Sequence, residues 1–399
     1  MNNTISSFVS LKKYCEDENF AGWDPYDGLN SKVFNSSPFK YWGLARLLWI
    51  QGFKRNPINL RKLFLVPKEY NAKGIALFLS GYCNLYDLAS NGQTIFGSKE
   101  DLLKKINFLA KLLESLSNKN FSGACWGYNF PWQSRLLFLF PKNTPTVVAT
   151  SFCVEALFKA YNITKNENYK SLAISSADFI MNDLNKTYHR DGFLYSYSPI
   201  KGNDTVFNAS LLGAKTLSIC YKYSKNKLYK DEAQTVIKAV CESQEVDGSW
   251  VYGLLKTQKW KDSFHTGYNL DAIKTFENCT GDTKFHKNLE FGFKYYLENF
   301  FKKDGKPKYY NNKTFPIDIH CPAQLFVTLS KLNKFKNHEG LANKVMHWMI
   351  ENMQDKKGYF YYQKKKLISS NISYMRWSNA FTFNAMSYFL KEKNKYGMQ

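Results

Sequence analysis

Acidic residues are the scarce class in this 399-residue chain: 33 Asp and Glu stand against 55 Lys and Arg, for a formal net charge of +22. A field of that sign favours polyanions or an anionic membrane surface over cationic partners. The excess is spread along the chain, and its one compact run, Lys364 to Lys366, comes with neither an RNA-binding aromatic signature nor helix-turn-helix spacing. Nucleic acid is therefore not an expected partner. No Cys-x-x-Cys pair occurs among the eight cysteines, which sit mostly inside apolar helical patterns. That placement argues against a disulfide framework and for reduced core thiols, hence a cytoplasmic location. No apolar run approaches membrane-spanning length, and the start lacks a basic region followed by an apolar one, which leaves only peripheral membrane contact open.

Signature loops are missing too. There is no Gly-x-Gly-x-x-Gly after a strand, no Walker loop, no Gly-x-Ser-x-Gly elbow and no His-Glu-x-x-His, so dinucleotide, nucleotide-phosphate, serine-hydrolase and zincin chemistry have no motif to stand on. No cofactor is expected. With no Pro/Gly/Ser-rich linker, residues 1–399 read as a single domain.

What is abundant is aromatic: 27 Tyr and 32 Phe help bring aromatics to 17% of the chain, which suits clefts that stack sugar rings. A short glycine-aromatic loop recurs as SGACWGYNF, RDGFLYSYS, VDGSWVYG, KDGKPKYYN and KKGYFYYQ. Its glycines at 127, 192, 248, 305 and 358 are spaced by 65, 56, 57 and 53 residues, the length of a helical hairpin with its loops. Between the loops, five stretches (99–117, 167–184, 229–243, 285–301 and 339–353) carry an apolar stripe and a charged face. Six others (71–88, 146–161, 205–223, 263–278, 321–332 and 374–390) are apolar nearly all round. The first set reads as outer helices and the second as inner ones. Segment 39–53 is expected to be the sixth outer helix, with 1–37 as an irregular segment contributing to the rim. The predicted fold is all-α, an (α/α)6 toroid.

In such a toroid the loops and inner-helix N-termini share one rim, where polar residues converge. Asp262, His265 and Asn269 fall at i, i+3 and i+7 on one helix face, Asp262 also suiting an N-cap. Asp318 and His320 repeat the pairing one hairpin later. YMRWSN adds Tyr374, Arg376, Trp377 and Asn379, where a phenol can exchange protons and a guanidinium can clamp a carboxylate or pair with a rim aspartate. Trp23, Asp24, Tyr26 and Asp27 have the makings of a sugar subsite. Trp126, Tyr128, Trp132, Arg135, Asn208 and Trp250 are further rim candidates for substrate binding. His265, His320 and Cys321 with Asp262 or Asp318 offer zinc-ligand types. Adjacent His320 and Cys321 would point about 100° apart on a helix, however, so no metal is expected.

QEVDGSW (244–250) fits the Gln-x(2–5)-Gly-x-Trp repeat of terpene cyclases. The Asp-x-Asp-Asp and Asp-Asp-x-x-Asp motifs of that chemistry are absent, and the other loops read as glycine-aromatic without the glutamine, so the stretch is taken as architecture. GWDPYDGLNS, DSFHTGYNLDAI, PIDIHCPAQ and YMRWSNAFTFNAMSYFL are similar to bacterial proteins of the six-hairpin glycosidase-like superfamily found with polysaccharide biosynthesis genes. The resemblance implies a glycan-handling protein of surface polysaccharide metabolism, in a fold shared with sugar epimerases, uronate lyases and inverting glycosidases. For proton abstraction from an anionic, uronic-acid-containing sugar, His265 and Tyr374 would form the acid/base pair, with His320 in reserve and Arg376 neutralising the carboxylate. The alternatives are an inverting hydrolase using rim aspartates and a non-catalytic glycan-binding protein. The sequence is silent on oligomeric state.

Overall fold

The computed structural model describes residues 2–134 and 138–397. In chain order its helices are α1 (Asn2–Asp17), α2 (Lys32–Asn35), α3 (Gly43–Arg55), α4 (Ala72–Ser90), α5 (Lys99–Ser115), α6 (Val147–Thr164), α7 (Glu167–Asp178), α8 (Phe207–Ser224), α9 (Lys227–Cys241), α10 (Ser263–Thr280), α11 (His286–Phe300), α12 (His320–Lys331), α13 (Glu339–Met353) and α14 (Phe381–Lys395). The strands are short: β1 (Trp132–Gln133) pairs with β2 (Leu139–Phe140), β3 (Lys186–His189) with β4 (Gly192–Tyr195), and β5 (Ile317–Asp318) with β6 (Tyr361–Lys364), which also pairs with β7 (Ser370–Ser373). All these pairings are antiparallel.

Among the described residues, six helices close an inner ring in the order α4, α6, α8, α10, α12, α14 and back to α4. Their all-round apolar surfaces follow from that position, since each packs on two inner neighbours and on the outer layer. Side chains cap several of the inner N-termini, Asn71 on Gly74 N, Thr146 on Ala149 N and Asp262 on His265 N, so the helices start together at one rim. Halfway down the axis, Lys215 lies 2.6 Å from Glu155 and 2.7 Å from Asp271, and Lys331 joins the same pair of carboxylates. This paired charge fills the axis below the rim.

The outer ring is α1, α5, α7, α9, α11 and α13, which corrects the expectation for both N-terminal segments. Residues 2–17 are helical, with Phe8, Leu11 and Cys15 fully buried at helical spacing, and they pack on α13 and α14. Segment 39–53 does form a helix, α3, but it packs on β1 and the Asp27–Asn30 turn and belongs to a cover over the mouth. The ring closes through one repeated contact, in which the turn after each outer helix abuts the next outer helix. Gly248, at φ +88°, lies so close to α11 that a Cβ would sit 2.6 Å from Phe291 O. Gly358, at φ +96°, stands against Ser10 of α1 in the same way. By this contact the glycine equivalent to these in the first loop is Gly123, against Ser175 of α7, and Gly127 instead lies on Asn143 and Thr144.

The glutamine of QEVDGSW recurs after all. Gln244 Nε2 donates to Gly248 O and to Asn288 O of α11, and Gln354 Nε2 donates to Gly358 O and to Ser7 O of α1. The pair staples turn to neighbouring helix at two of the ring's outer junctions, α9 to α11 and α13 to α1, so the stretch is architectural. Trp126 and Trp250 share that role: both are buried, and their indole N–H groups donate to Leu113 O and Val240 O of the preceding outer helices. Both are core residues by their bonds, although Trp250 also borders the small cavity beside His265.

Candidate active site

The rim carries a short-range constellation at the start of α10. Asp262 ends an extended segment, and its carboxylate accepts His265 N–H at 3.0 Å through Oδ1. Through Oδ2 it faces His265 Nδ1 at 2.8 Å and accepts Trp260 Nε1–H at 3.0 Å. Because a carboxylate only accepts, Nδ1 carries the proton and the Nε2 lone pair is left available. Asp262 is buried, while the His265 side chain keeps 21% of its surface exposed. Tyr252 stacks on Trp260 at 4.4 Å and holds its ring 4.9 Å from His265. Beneath this pair, a cavity of about 10 Å³ is lined by Asn208, Asn269, Thr266 and His265 among others. The Oδ1 atoms of Asn208 and Asn269 have no hydrogen-bond partner there, and the space matches one water molecule.

Opposite lies a second network, built on two arginine–aspartate pairs. Arg376 sits in a π-helical turn, Met375–Ala380, that runs into α14, and it grips Asp24 with Nε at 2.6 Å and Nη2 at 2.8 Å. Its guanidinium lies 4.9 Å from the Tyr128 ring centroid and 5.0 Å from that of Trp377. Arg61 donates to Asp27 at 2.7 Å, to Asp24 O at 2.7 Å and to the Tyr374 hydroxyl at 3.1 Å. Tyr374 is fully buried here, and burial raises its pKa well above the ordinary phenol value. It cannot face a substrate shared with His265, which corrects its expected role as the second acid/base group. Arg61 was not singled out from the sequence, since nothing in the loop NPINLRKLFL distinguishes an arginine that anchors two aspartates.

His320 is also withdrawn from solvent. It stacks 4.3 Å from Trp377 and 4.0 Å from Phe381, and its Nε2–H donates to Trp377 O at 2.9 Å, leaving Nδ1 unpartnered. Burial, with Lys73 and Arg376 nearby, pushes its pKa well below the usual histidine range, so the ring is neutral. Asp318 accepts from His320 N, Trp377 Nε1 and Gln363 Nε2, and burial lifts its carboxyl to about 6.

Trp23 donates to Val66 O, and Tyr26, whose hydroxyl is 2.6 Å from Lys54 Nζ, lies 5.7 Å from Trp377 at the mouth. Tyr128 shares a hydrogen bond with Tyr197 at 3.0 Å. Trp132 stacks flat on Phe140 in the β1–β2 hairpin. Asn379 is buried, bonding Phe360 N and Ser373 Oγ, a structural part. Arg135 lies outside the described residues. Among the described residues, no cluster of three or more His, Cys, Asp or Glu side chains is arranged to hold a metal ion.

Lys73 is the group the sequence reading passed over, although a lysine at the start of an apolar inner helix was visible. Its ammonium position is buried 4.2 Å from the Phe152 ring centroid and 3.4 Å from the Tyr268 hydroxyl. Burial and Arg376 hold its pKa well below the ordinary lysine value. Outside the rim, a cleft of about 430 Å³ begins at Trp260 and is lined by Lys259, Lys261, Lys313, Tyr310, Asn311 and Asn312. Lys261 pairs with Glu245 and Asp247, whereas Lys259 donates to a backbone carbonyl and Lys313 lies over the Tyr310 ring.

No protein-family model matches this sequence, and no curated protein matches it either. Solved structures do. The chain is similar to a glycoside hydrolase family 76 mannosidase from Bacteroides thetaiotaomicron at 10% identity, with 100% of both chains covered and a TM-score of 0.64. It is similar to an unsaturated glucuronyl hydrolase specific for heparin at 11% identity, over 98% of this chain and 97% of that one, with a TM-score of 0.61. A sugar epimerase from a ruminal bacterium is 13% identical over 84% of this chain and 90% of that one, with a TM-score of 0.61. The fold of this chain is that of the six-hairpin glycosidase-like (α/α)6 toroids.

Proposed function

We propose that this protein is a carbohydrate-active enzyme that removes a proton from a carbon beside a carbonyl or carboxyl group of an anionic sugar, as an epimerase or a lyase, in bacterial surface polysaccharide metabolism. The observation that carries the reading is the Asp262–His265 pair. Asp262 fixes the imidazole in the tautomer whose Nε2 is a base, on a partly open side chain at the rim. Tyr252, its phenol kept protonated by burial, stands beside that base as a proton donor in place of Tyr374. Asp24 occupies Nε and Nη2 of Arg376, leaving Nη1 for a developing enolate oxygen.

Two features favour this over hydrolysis by rim aspartates. Asp24, Asp27, Asp262 and Asp318 each have both oxygens engaged by donors, so none is free to activate a water. The cleft from Trp260, with its lysines, suits a neighbouring acidic sugar. The test is incubation with uronic-acid-containing oligosaccharides in deuterated water. Deuterium uptake at carbon marks epimerisation, and ultraviolet absorbance of an unsaturated uronate marks elimination. New reducing ends without either signal, or glycan binding with no turnover, overturns the proposal.

A further inference from the structure

The cover over the mouth presents an unusual outer surface. From Gly28 to Lys68 the chain contains eight Lys and Arg and no Asp or Glu. The same stretch exposes large apolar side chains to solvent. Tyr41 and Trp42, at the entry to α3, are 78% and 56% exposed, Leu44 and Leu48 follow one helical turn apart, and Ile58 and Leu63 lie on the return loop. Lys32, Arg55 and Lys62 are exposed among them, whereas Arg61 turns inward to Asp27. The underside of α3 is anchored: Trp49 stacks against Phe34 at 4.9 Å, and its indole donates to Gly28 O. A short helix fixed by one face, with Leu44 and Leu48 exposed on it, Tyr41 and Trp42 exposed just before its start and only basic charge in this stretch of chain, has the composition of a segment that lies in a membrane interface.

We infer that this cover docks the protein on an anionic phospholipid surface. Charge complementarity selects that occupant: a leaflet supplies both the apolar boundary for Trp42, Leu44 and Leu48 and the negative headgroups for Lys32, Arg55 and Lys62. The cover is tied to the rim through Lys54 on Tyr26 and Arg46 on Gln133. Docking therefore brings the mouth to the bilayer, where the sugar acted on is carried on a lipid. That last step rests on the proposed glycan chemistry; the docking does not.

The full-length protein is sedimented with vesicles of phosphatidylcholine alone and with vesicles in which roughly a third of the lipid is phosphatidylglycerol. The wild type is expected to pellet with the anionic vesicles and to be released by salt. Trp42→Ser/Leu44→Ser/Leu48→Ser and Lys32→Glu/Arg55→Glu/Lys62→Glu, all at exposed positions, are each expected to lose about tenfold or more of that binding with unchanged melting. His265→Ala is expected to bind vesicles like the wild type, so vesicle binding without sugar turnover counts against the chemistry alone. Failure to pellet with anionic vesicles overturns the inference, as does equal binding by the variants. So does a solution dimer that the serine variant dissociates, which would assign this surface to a second copy of the chain.

Discussion

Replacing Asp262 with Asn tests the proposed base directly. Asp262 accepts three donors, His265 N, His265 Nδ1 and Trp260 Nε1. Asn caps a helix about as well as Asp, so its oxygen can keep the bond to His265 N, while the Trp260 Nε1–H left without its acceptor should cost about 1–3 kcal/mol of stability. Its amide N–H groups, however, meet two N–H donors where a carboxylate had met them. A hydrogen bond to a charged group is worth about 1.5–3 kcal/mol, so about that much preference for the Nδ1–H tautomer disappears with the His265 Nδ1–H bond. The imidazole is then expected to carry its proton on Nε2, the atom that must act as base. Positioned general-base catalysis contributes about 10²–10⁴-fold, so kcat should fall by that factor with KM little changed and the protein still folded. Deuterium uptake from solvent reads the rate, and nitrogen chemical shifts of the His265 ring read the tautomer. A variant that keeps kcat within about threefold of wild type, or that keeps the Nδ1–H tautomer, refutes the reasoning.

Three further outcomes follow from buried groups and tight turns. Asp318 has a folded pKa raised to about 6 against an ordinary value of about 3.9, so its protonated form is favoured on folding. Stability from this group is complete below about pH 4 and is lost, by roughly 2–3 kcal/mol, as pH rises through 6; Asp318→Asn should remove that slope in urea titrations across this range, and an unchanged slope would count against it. Lys73 is a buried base with a lowered pKa, so the unfolded chain binds a proton that the folded chain does not. Lys73→Met should therefore be more stable than wild type, by an amount that grows as pH falls through the alkaline range and reaches about 1–3 kcal/mol; a less stable variant would refute this. Gly358→Ala places a Cβ 2.4 Å from Ser10 O at a positive φ, and should cost about 1–3 kcal/mol, with faster amide exchange concentrated in α1. Exchange that rises evenly over the chain would show that this turn does not hold α1 in the ring.

The helical toroid was legible in the chain alone, because the helical period of the apolar residues and the spacing of the glycine-aromatic loops are local properties. The sequence also brought forward Asp262 and His265, which interact across one turn of one helix. It left ring closure open. Residues 2–17 and 39–53 both have helical patterns, and only packing decided that Phe8, Leu11 and Cys15 complete the outer ring while α3 lies over the mouth. The Ser- and Asn-rich composition of the first helix hid a pattern that was present. The equivalence of Gln244 and Gln354 likewise emerged only when both were seen stapling a turn to the next outer helix.

Which rim groups are available for chemistry was a tertiary matter throughout. Tyr374, Asp24 and Asp27 read as free functional groups in the sequence, and Arg376 as either a carboxylate clamp or the partner of a rim aspartate, which the Asp24 pair decides. Arg61, more than thirty residues away from Asp27 and over three hundred from Tyr374, joins Asp24, Asp27 and Tyr374 into one buried network with Arg376. Burial separated His320 from His265 in the same way, since stacking on Trp377 and Phe381 keeps one ring neutral and enclosed while the other stays partly open. Residue types and local spacing are written in the chain, whereas partners, desolvation and the pKa values they set arise only where distant segments meet.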